Sequence, residues 1–420
     1  MTSKEQTVSN NDELISAIEN KNVRQITIRG SLVDVPSIRL APGQEIRGED
    51  DHAEIHFAVA IDGLQLTSNN QVRGIHLQAN PDKRAIFNDT SVASLGHIYI
   101  SGVKATGQVQ ILARDNVHSG HVEVDGLDII SADVRAQNER PHGYGVYVIQ
   151  GAFTLWNMNT DEGVDISANL IGLSAGRIGA PVFGSGIFVS GAGDKGGGRL
   201  DVSRLETGAI YNNAKIPSGT SDQISGGVFI VHGAHVDLVH NRGPVVTYGV
   251  NDMVLDNWGF VDRWIAEEKL TSYGSSGIGF VNFGIVNELK IKAPIETFGR
   301  GARGFNVYTG TVHLAEFDRI VTHSDGAVGI QISQPIDRLT VHRGIETFGG
   351  TGESLVKGVV MKLSAIGLSI KPGGSAQEIE VDGGIITNGE GIAPIELHGE
   401  IGLLRVSGGF KAIGGGFDKI

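Results

Sequence analysis

Cysteine is absent from this 420-residue chain, which excludes a disulfide scaffold, thiolate zinc ligation and thiol redox chemistry. No run approaches the roughly 18 apolar residues of a membrane-spanning helix. The stretch from Met1 to Ala17 is too polar for a signal peptide. Together these absences predict a cytoplasmic protein without a membrane partner. Positive charge is also scarce: 34 Lys and Arg stand against 47 Asp and Glu, a net charge of −13. That balance argues against nucleic acid and anionic membranes, and a polyanionic sugar would need a local basic groove or a bridging cation. Glycine is plentiful. Its 61 residues suit a chain with many tight corners.

A repeat organises the second half. Thr247, Ser272, Thr297, Thr322 and Thr347 recur every 25 residues. The preceding apolar column is Val245, Leu270, Ile295, Ile320 and Ile345, and the following column is Tyr248, Tyr273, Phe298, His323 and Phe348. Two further sets are Leu255, Phe280, Phe305, Ile330, Leu355 and Trp264, Leu289, Leu314, Leu339. A fixed period in this range marks stacked units that bury their apolar faces only against one another. The units are short, alternate apolar with polar residues and end at glycine, so each is a strand-built coil. This is a solenoid, and its repeat overrides the two or three domains that length alone suggests.

Residues 1–10 read as a disordered arm. Leu14, Ile15 and Ile18, with Asp12 and Glu13 in the first turn, predict a short amphipathic helix capped by Asn10 or Asn11. Such a helix would cover the unpaired edge of the first coil. Strands follow from Gln25. The helix, the strand, Arg39-Leu-Ala-Pro-Gly-Gln-Glu-Ile-Arg-Gly48 and Glu54-Ile-His-Phe57 resemble the opening of parallel β-helix proteins of the pectin-lyase-like superfamily. The resemblance implies an all-β, single-stranded right-handed parallel β-helix, three sheets wound into a prism, with substrate lying across one outer face. The family's calcium-binding carboxylates beside a basic residue, its Asp-Asp hydrolase motif and the glycine-rich calcium repeat of β-roll proteins are all missing.

The expected organisation is an arm and capping helix over 1–24 and a β-helix over 25–420, its coils running to about residue 413. Long loops are expected around 136–144, 173–185 and 212–226. Gly145-Val-Tyr-Val148, Gly186-Ile-Phe-Val189 and Gly227-Val-Phe-Ile230 are each 41 residues apart. They predict coils that emit a loop at the same corner three times, a stacked wall suited to binding or to assembly. The dense polar loop Asn138–His142 reads as a surface loop or as a cover over the groove.

Coils about 4.8 Å apart turn equal offsets into rows. With Ile295 inward, Glu296 points out, and Glu346 lies about 9.6 Å further along, near the ~6.5–9.5 Å separation of inverting glycosidase carboxylates. Asp325, His323 and Arg300 nearby would supply an acid, an imidazole and a cation. Tyr248, Tyr273, Phe298 and Phe348 form one outward aromatic row, and Trp258, Phe283 and Tyr308 a second, the two lining a groove for sugar faces. Arg263, Glu288, His313 and Arg338 read as a surface charge ladder, and Asn257 with Asn282 as an inward asparagine ladder. Two G-x-G-x-x-G matches, at Gly299–Gly304 and Gly191–Gly196, are turns by context. His232, His235 and His240 lack a carboxylate at zinc-ligand spacing. No metal site or cofactor is expected.

Two functions follow. One is a carbohydrate-active β-helix that binds a glycan along the aromatic rows and cleaves it with Glu296 and Glu346 or Asp325. The other is a non-catalytic scaffold whose loop wall mediates assembly, including a homo-oligomer. Both stay open at the level of sequence.

Overall fold

The computed structural model describes residues 4–193 and 196–416. Within them the chain winds as a parallel β-helix with three faces. The first face starts at Val23–Ile28, Glu45–Gly48 and Gln71–Arg73 and ends at Glu400–Val406. The second runs from Ser31–Val35 and Glu54–Phe57 to Phe410–Ala412. The third runs from Ile38–Arg39 and Leu64–Leu66 to Ile395–Leu397. Long strands such as Ser119–Ser131 and Asp165–Ala175 bend from the first face into the second. Those two faces therefore form one continuous 25-stranded sheet, and the third belongs to a 15-stranded sheet. The bend is made by glycine: Gly102, Gly126 and Gly172 take φ of +59°, +84° and +73° and stack on one another. A side chain there would be strained by conformation alone.

The threonine column has a local chemical cause. Thr247, Ser272, Thr297, Thr322, Thr347 and Thr387 pair rung to rung and are fully buried. Thr247, Thr322 and Thr387 each donate Oγ1–H to the carbonyl five residues on, at 3.2, 2.6 and 2.8 Å, closing the corner between the second and third faces. Thr347 donates instead to Ala365 O, at 2.5 Å. A hairpin, Thr351–Val356 with Val359–Ser364, is spliced into that corner. The slip from Thr347 to Thr387 is thus an insertion and not a loss of register.

At the N-terminus the expected arm is ordered from Lys4. Lys4–Val8 pairs in parallel with Val23–Ile28 and adds a strand ahead of the first face, with Val8 buried, while Met1–Ser3 fall outside the described residues. The helix Asn11–Glu19 follows. Asn10 caps it, accepting from Glu13 N at 3.0 Å, and the Glu13 carboxylate accepts from Ser9 N. Leu14 and Ala17 are buried against the first coil.

Several rows shift by small insertions. The partner of Ile330 is Leu368, not Leu355, which lies on the inserted hairpin. One extra residue near Gly310 puts Ala315 between Leu289 and Leu339, leaving Leu314 exposed and replacing His313 in its row. The 41-residue spacing holds for Ile187 with Val228, but the rung before them is Gly151–Asn157. Gly145-Val-Tyr-Val148 is instead the return strand of a small hairpin, reversed at Tyr144 and Gly145 with φ of +52° and +85°, whose Tyr147 and Val148 pair in parallel with Gln223 and Ile224. The loops after residues 173 and 212 meet at one corner, where Val182 bridges Asn212 and Lys215 lies over the Phe183 ring, and Asp133 and Arg135, just ahead of the first expected loop, reach Phe183 as well.

Candidate functional site

The expected aromatic row on the second face exists. Successive rings from Tyr248 through Tyr273, Phe298 and His323 to Phe348 lie 4.4–5.4 Å apart with planes within 13°. That geometry spends the ring faces on each other. Tyr273 and Phe348 are exposed, but along the row only edges meet solvent, and a sugar stacks on faces. The row is a structural ladder.

The carboxylates beside it are engaged. Glu296 and Glu346 do share a column, with Val321 between them. Glu296 accepts from His323 Nε2 at 2.8 Å and pairs with Lys269. Burial pushes the Glu296 carboxyl up, but the hydrogen bonds from Lys269 and His323 outweigh it and hold the group below the usual range. An ionised, doubly bonded carboxylate is a poor proton donor. Glu346 pairs with Arg319 at 2.7 Å and also accepts from Asn388. Asp325 is exposed and accepts from Gly350 N at 2.8 Å. Arg300 turns to a separate corner cleft of about 360 Å³, lined also by Ser218, Thr220, Ser275 and Glu353. The five proposed catalytic residues therefore do not converge on one centre.

The second row, Trp258, Phe283 and Tyr308, does point out of the coil, yet it is not an open groove. The three rings are only 3–8% exposed. Two hairpins cover them. His142–Gly143 with Val146–Val148 reaches in from one side, and Thr351–Val356 with Val359–Ser364 from the other. Each turns on two residues of positive φ, Tyr144-Gly145 and Lys357-Gly358, the pattern that matches the twist of a two-residue hairpin. The turns meet tip to tip, so that a Cβ on Gly145 would stand 3.2 Å from Lys357 O. Tyr144 stacks on Phe283 at 4.3 Å and meets Trp258 edge-on at 5.1 Å. A second apolar cluster, including Met253, Ile278, Val281 and Leu355, fills the space beneath.

Polar groups are sealed into this apolar chamber. Asp256, Asn306 and Gln331 share the outward column that contains Val281, and Arg303 lies between Ile278 and Val328 in the next. Asp256, Arg303 and Asn306 have no exposed surface. Both Asp256 oxygens, Arg303 Nε and Nη2, both Asn306 amide atoms, Gln331 Oε1, the Tyr308 hydroxyl and Trp258 Nε1 make no hydrogen bond of ordinary geometry among the described residues, although the Asn306 amide lies close enough to the Tyr308 hydroxyl to act on it. Arg303 Nη1 reaches Leu355 O at 3.3 Å, and no ion pair among the described residues joins Arg303 to a carboxylate. Burial holds the Asp256 carboxyl well above the usual range; the Trp258 N–H opposes this from a position short of a hydrogen bond. Burial likewise lowers the Arg303 guanidinium, a group that stays charged.

Each such orphaned group costs about 1–3 kcal/mol, and an unpaired buried charge more. Folds keep polar atoms in this state where a ligand or water completes them. Closed, the chamber leaves about 30 Å³, room for water and not for a sugar, so a larger ligand requires the hairpin tips to part. The arrangement offers a carboxyl whose protonated form burial favours, a guanidinium for an anion, amide and hydroxyl groups for a polyol, and aromatic walls. Of the sequence candidates, Trp258 and Tyr308 belong here. Asp256 and Arg303 do not stand out in the sequence, since outward polar residues on a coil are ordinarily solvated.

No helix among the described residues is long and apolar enough to cross a membrane. Compared with protein-family models, curated proteins and solved structures, the chain matches none, so the chemistry of the chamber rests on its own residues.

Proposed function

We propose that this chain is a carbohydrate-active β-helix that binds an acidic saccharide in the lidded chamber on its third face, with kinship to the pectin-lyase-like superfamily as part of the same proposal. The observation that carries it is the buried Arg303 without a counter-charge, set among unpartnered Asp256, Asn306 and Tyr308 and the aromatic rings Trp258 and Phe283. A sugar carboxylate matches the guanidinium fork, hydroxyls match the amide and phenol, and a pyranose face suits the indole. Asp256, whose carboxyl burial holds well above its usual range, would donate the proton where the glycan is cleaved. The Arg300 cleft on the far side of Leu355 extends the surface available to a longer chain.

The test pairs an array of acidic and neutral oligosaccharides with the variant Arg303→Met. Acidic glycans should bind the natural chain and lose that binding in the variant. The ligand-free variant should at the same time be more stable by about 1 kcal/mol or more, because an uncompensated buried charge has been removed. Absence of acidic-glycan binding, or a variant that binds equally well, ends the proposal. A variant that melts lower than the natural chain would show that structural water, and not ligand, completes Arg303.

A further inference from the structure

On the first face, far in the winding from the chamber, three ligating side chains come together that the sequence separates. His97 and His121 pair across adjacent rungs, and Tyr99 with Glu123 two residues on. Side chains two apart share a face, so both imidazoles and the Glu123 carboxylate project outward on coils about 4.8 Å apart. One ligand atom from each lies within 4.8 Å of the others. His97 Nε2 is 2.8 Å from Glu123 Oε2, and the two imidazole rings sit 5.3 Å apart at 52°. The positions are braced from behind. Ser167, on the next rung, holds His121 Nδ1 at 2.8 Å, and Asn69 Oδ1 accepts from His97 N at 2.9 Å.

We infer that His97, His121 and Glu123 form a binding site for a divalent transition-metal ion of the zinc class. Two imidazoles and one carboxylate are the donor set that such ions take from three protein ligands, leaving a fourth position to water. Tetrahedral bonds of about 2.0–2.2 Å set donor atoms roughly 3.4 Å from one another, so the ion would replace the 2.8 Å His97–Glu123 hydrogen bond by spreading that pair slightly, within the swing of half-exposed side chains. With Nδ1 engaged by Ser167, Nε2 is the His121 nitrogen left for the ion, and the serine does what a second partner ordinarily does for a metal-bound imidazole. Calcium and magnesium prefer oxygen cages and are poor matches for two nitrogens. Among the histidines, the sequence-level expectation of no metal weighed His232, His235 and His240. Those go elsewhere: His240 pairs with Glu267, and His232 packs against Trp258.

The test is calorimetric titration of the full chain, first stripped with chelator, with zinc chloride and in parallel with magnesium chloride. Cobalt serves as a spectroscopic probe of tetrahedral coordination. One saturable zinc site is expected, with His97→Ala and His121→Ala each weakening it about 10-fold or more and the circular dichroism of both variants unchanged. The inference is overturned by no saturable zinc binding, by equal affinity for magnesium, or by zinc and cobalt binding that persists undiminished in the double variant.

Discussion

Asp252 shows how one buried group can tie stability to pH. It is fully enclosed at the start of a third-face strand and accepts from Ser225 Oγ at 2.6 Å, Gly249 N at 2.7 Å and Ala214 N at 3.2 Å. Burial raises its carboxyl to about 7 against these donors, from an ordinary value near 3.8. A carboxyl raised on folding binds its proton more tightly in the native state. Its contribution is therefore complete below about pH 4 and is lost as pH rises through 7. At about 1.4 kcal/mol per unit the swing is on the order of 4 kcal/mol. Histidines such as His76 and His121, which burial lowers from their ordinary 6.5, act in the opposite sense, so the effect must be isolated. Melting the natural chain beside Asp252→Asn does so, because every other group is common to both. The margin of the natural chain over the variant should narrow from pH 5 to pH 8. A constant margin would mean that Asp252 keeps one protonation state throughout. At this same scale the sequence is least informative. Asp252 and Asp256 look like any outward carboxylates until the covering segments are in place, and the apolar Val281 in the same column gives no warning.

Single elements were easier to read. The asparagine ladder is present, Asn257 Nδ2 donating to Asn282 Oδ1 at 2.8 Å inside the coil. The aromatic row of the second face was legible as a row, since a 25-residue offset places its members on neighbouring rungs. Its role was not, because offsets give stacking but not which surface of each ring stays free. A direct consequence is testable at Phe298, which lies between Tyr273 at 5.0 Å and His323 at 4.4 Å. Two stacked pairs worth about 0.5–1.5 kcal/mol each are lost in Phe298→Ala. The variant should be destabilised by about 2 kcal/mol in denaturant melts while glycan binding is unchanged. A loss of binding with intact stability would return the site to the second face. Where rows drifted, as at Leu314 and His313, a single residue added near Gly310 was enough, since one step in a strand exchanges inward for outward.

For the whole molecule, winding was legible and covering was not. Periodicity reports neighbours along the axis, whereas the chamber joins residue 144 to residue 283 and residue 145 to residue 357, contacts that no local pattern encodes. The larger lid hairpin nevertheless behaves as an addition to a finished coil. Ala365 N donates to Gly350 O at 3.0 Å across its base, and the pairings of Thr347 with Thr387 and Ile330 with Leu368 proceed as though it were not there. Its inner strand is what touches the scaffold: Ser354 Oγ donates to Gly301 O, and Leu355 N donates to Ser276 Oγ. Its outer strand leaves Val359, Val360 and Met361 exposed. Replacing residues 351–364 by one glycine should leave the β-sheet circular dichroism intact, because the rungs on either side keep their partners. The same change uncovers Trp258, now 3% exposed, so its emission should shift to the red. Acidic-glycan affinity should fall, since the wall carrying Leu355 and Lys357 is gone. Collapse of the dichroism would make the hairpin part of the coil's own stability. Unshifted tryptophan emission with retained affinity would show that this segment does not close the chamber.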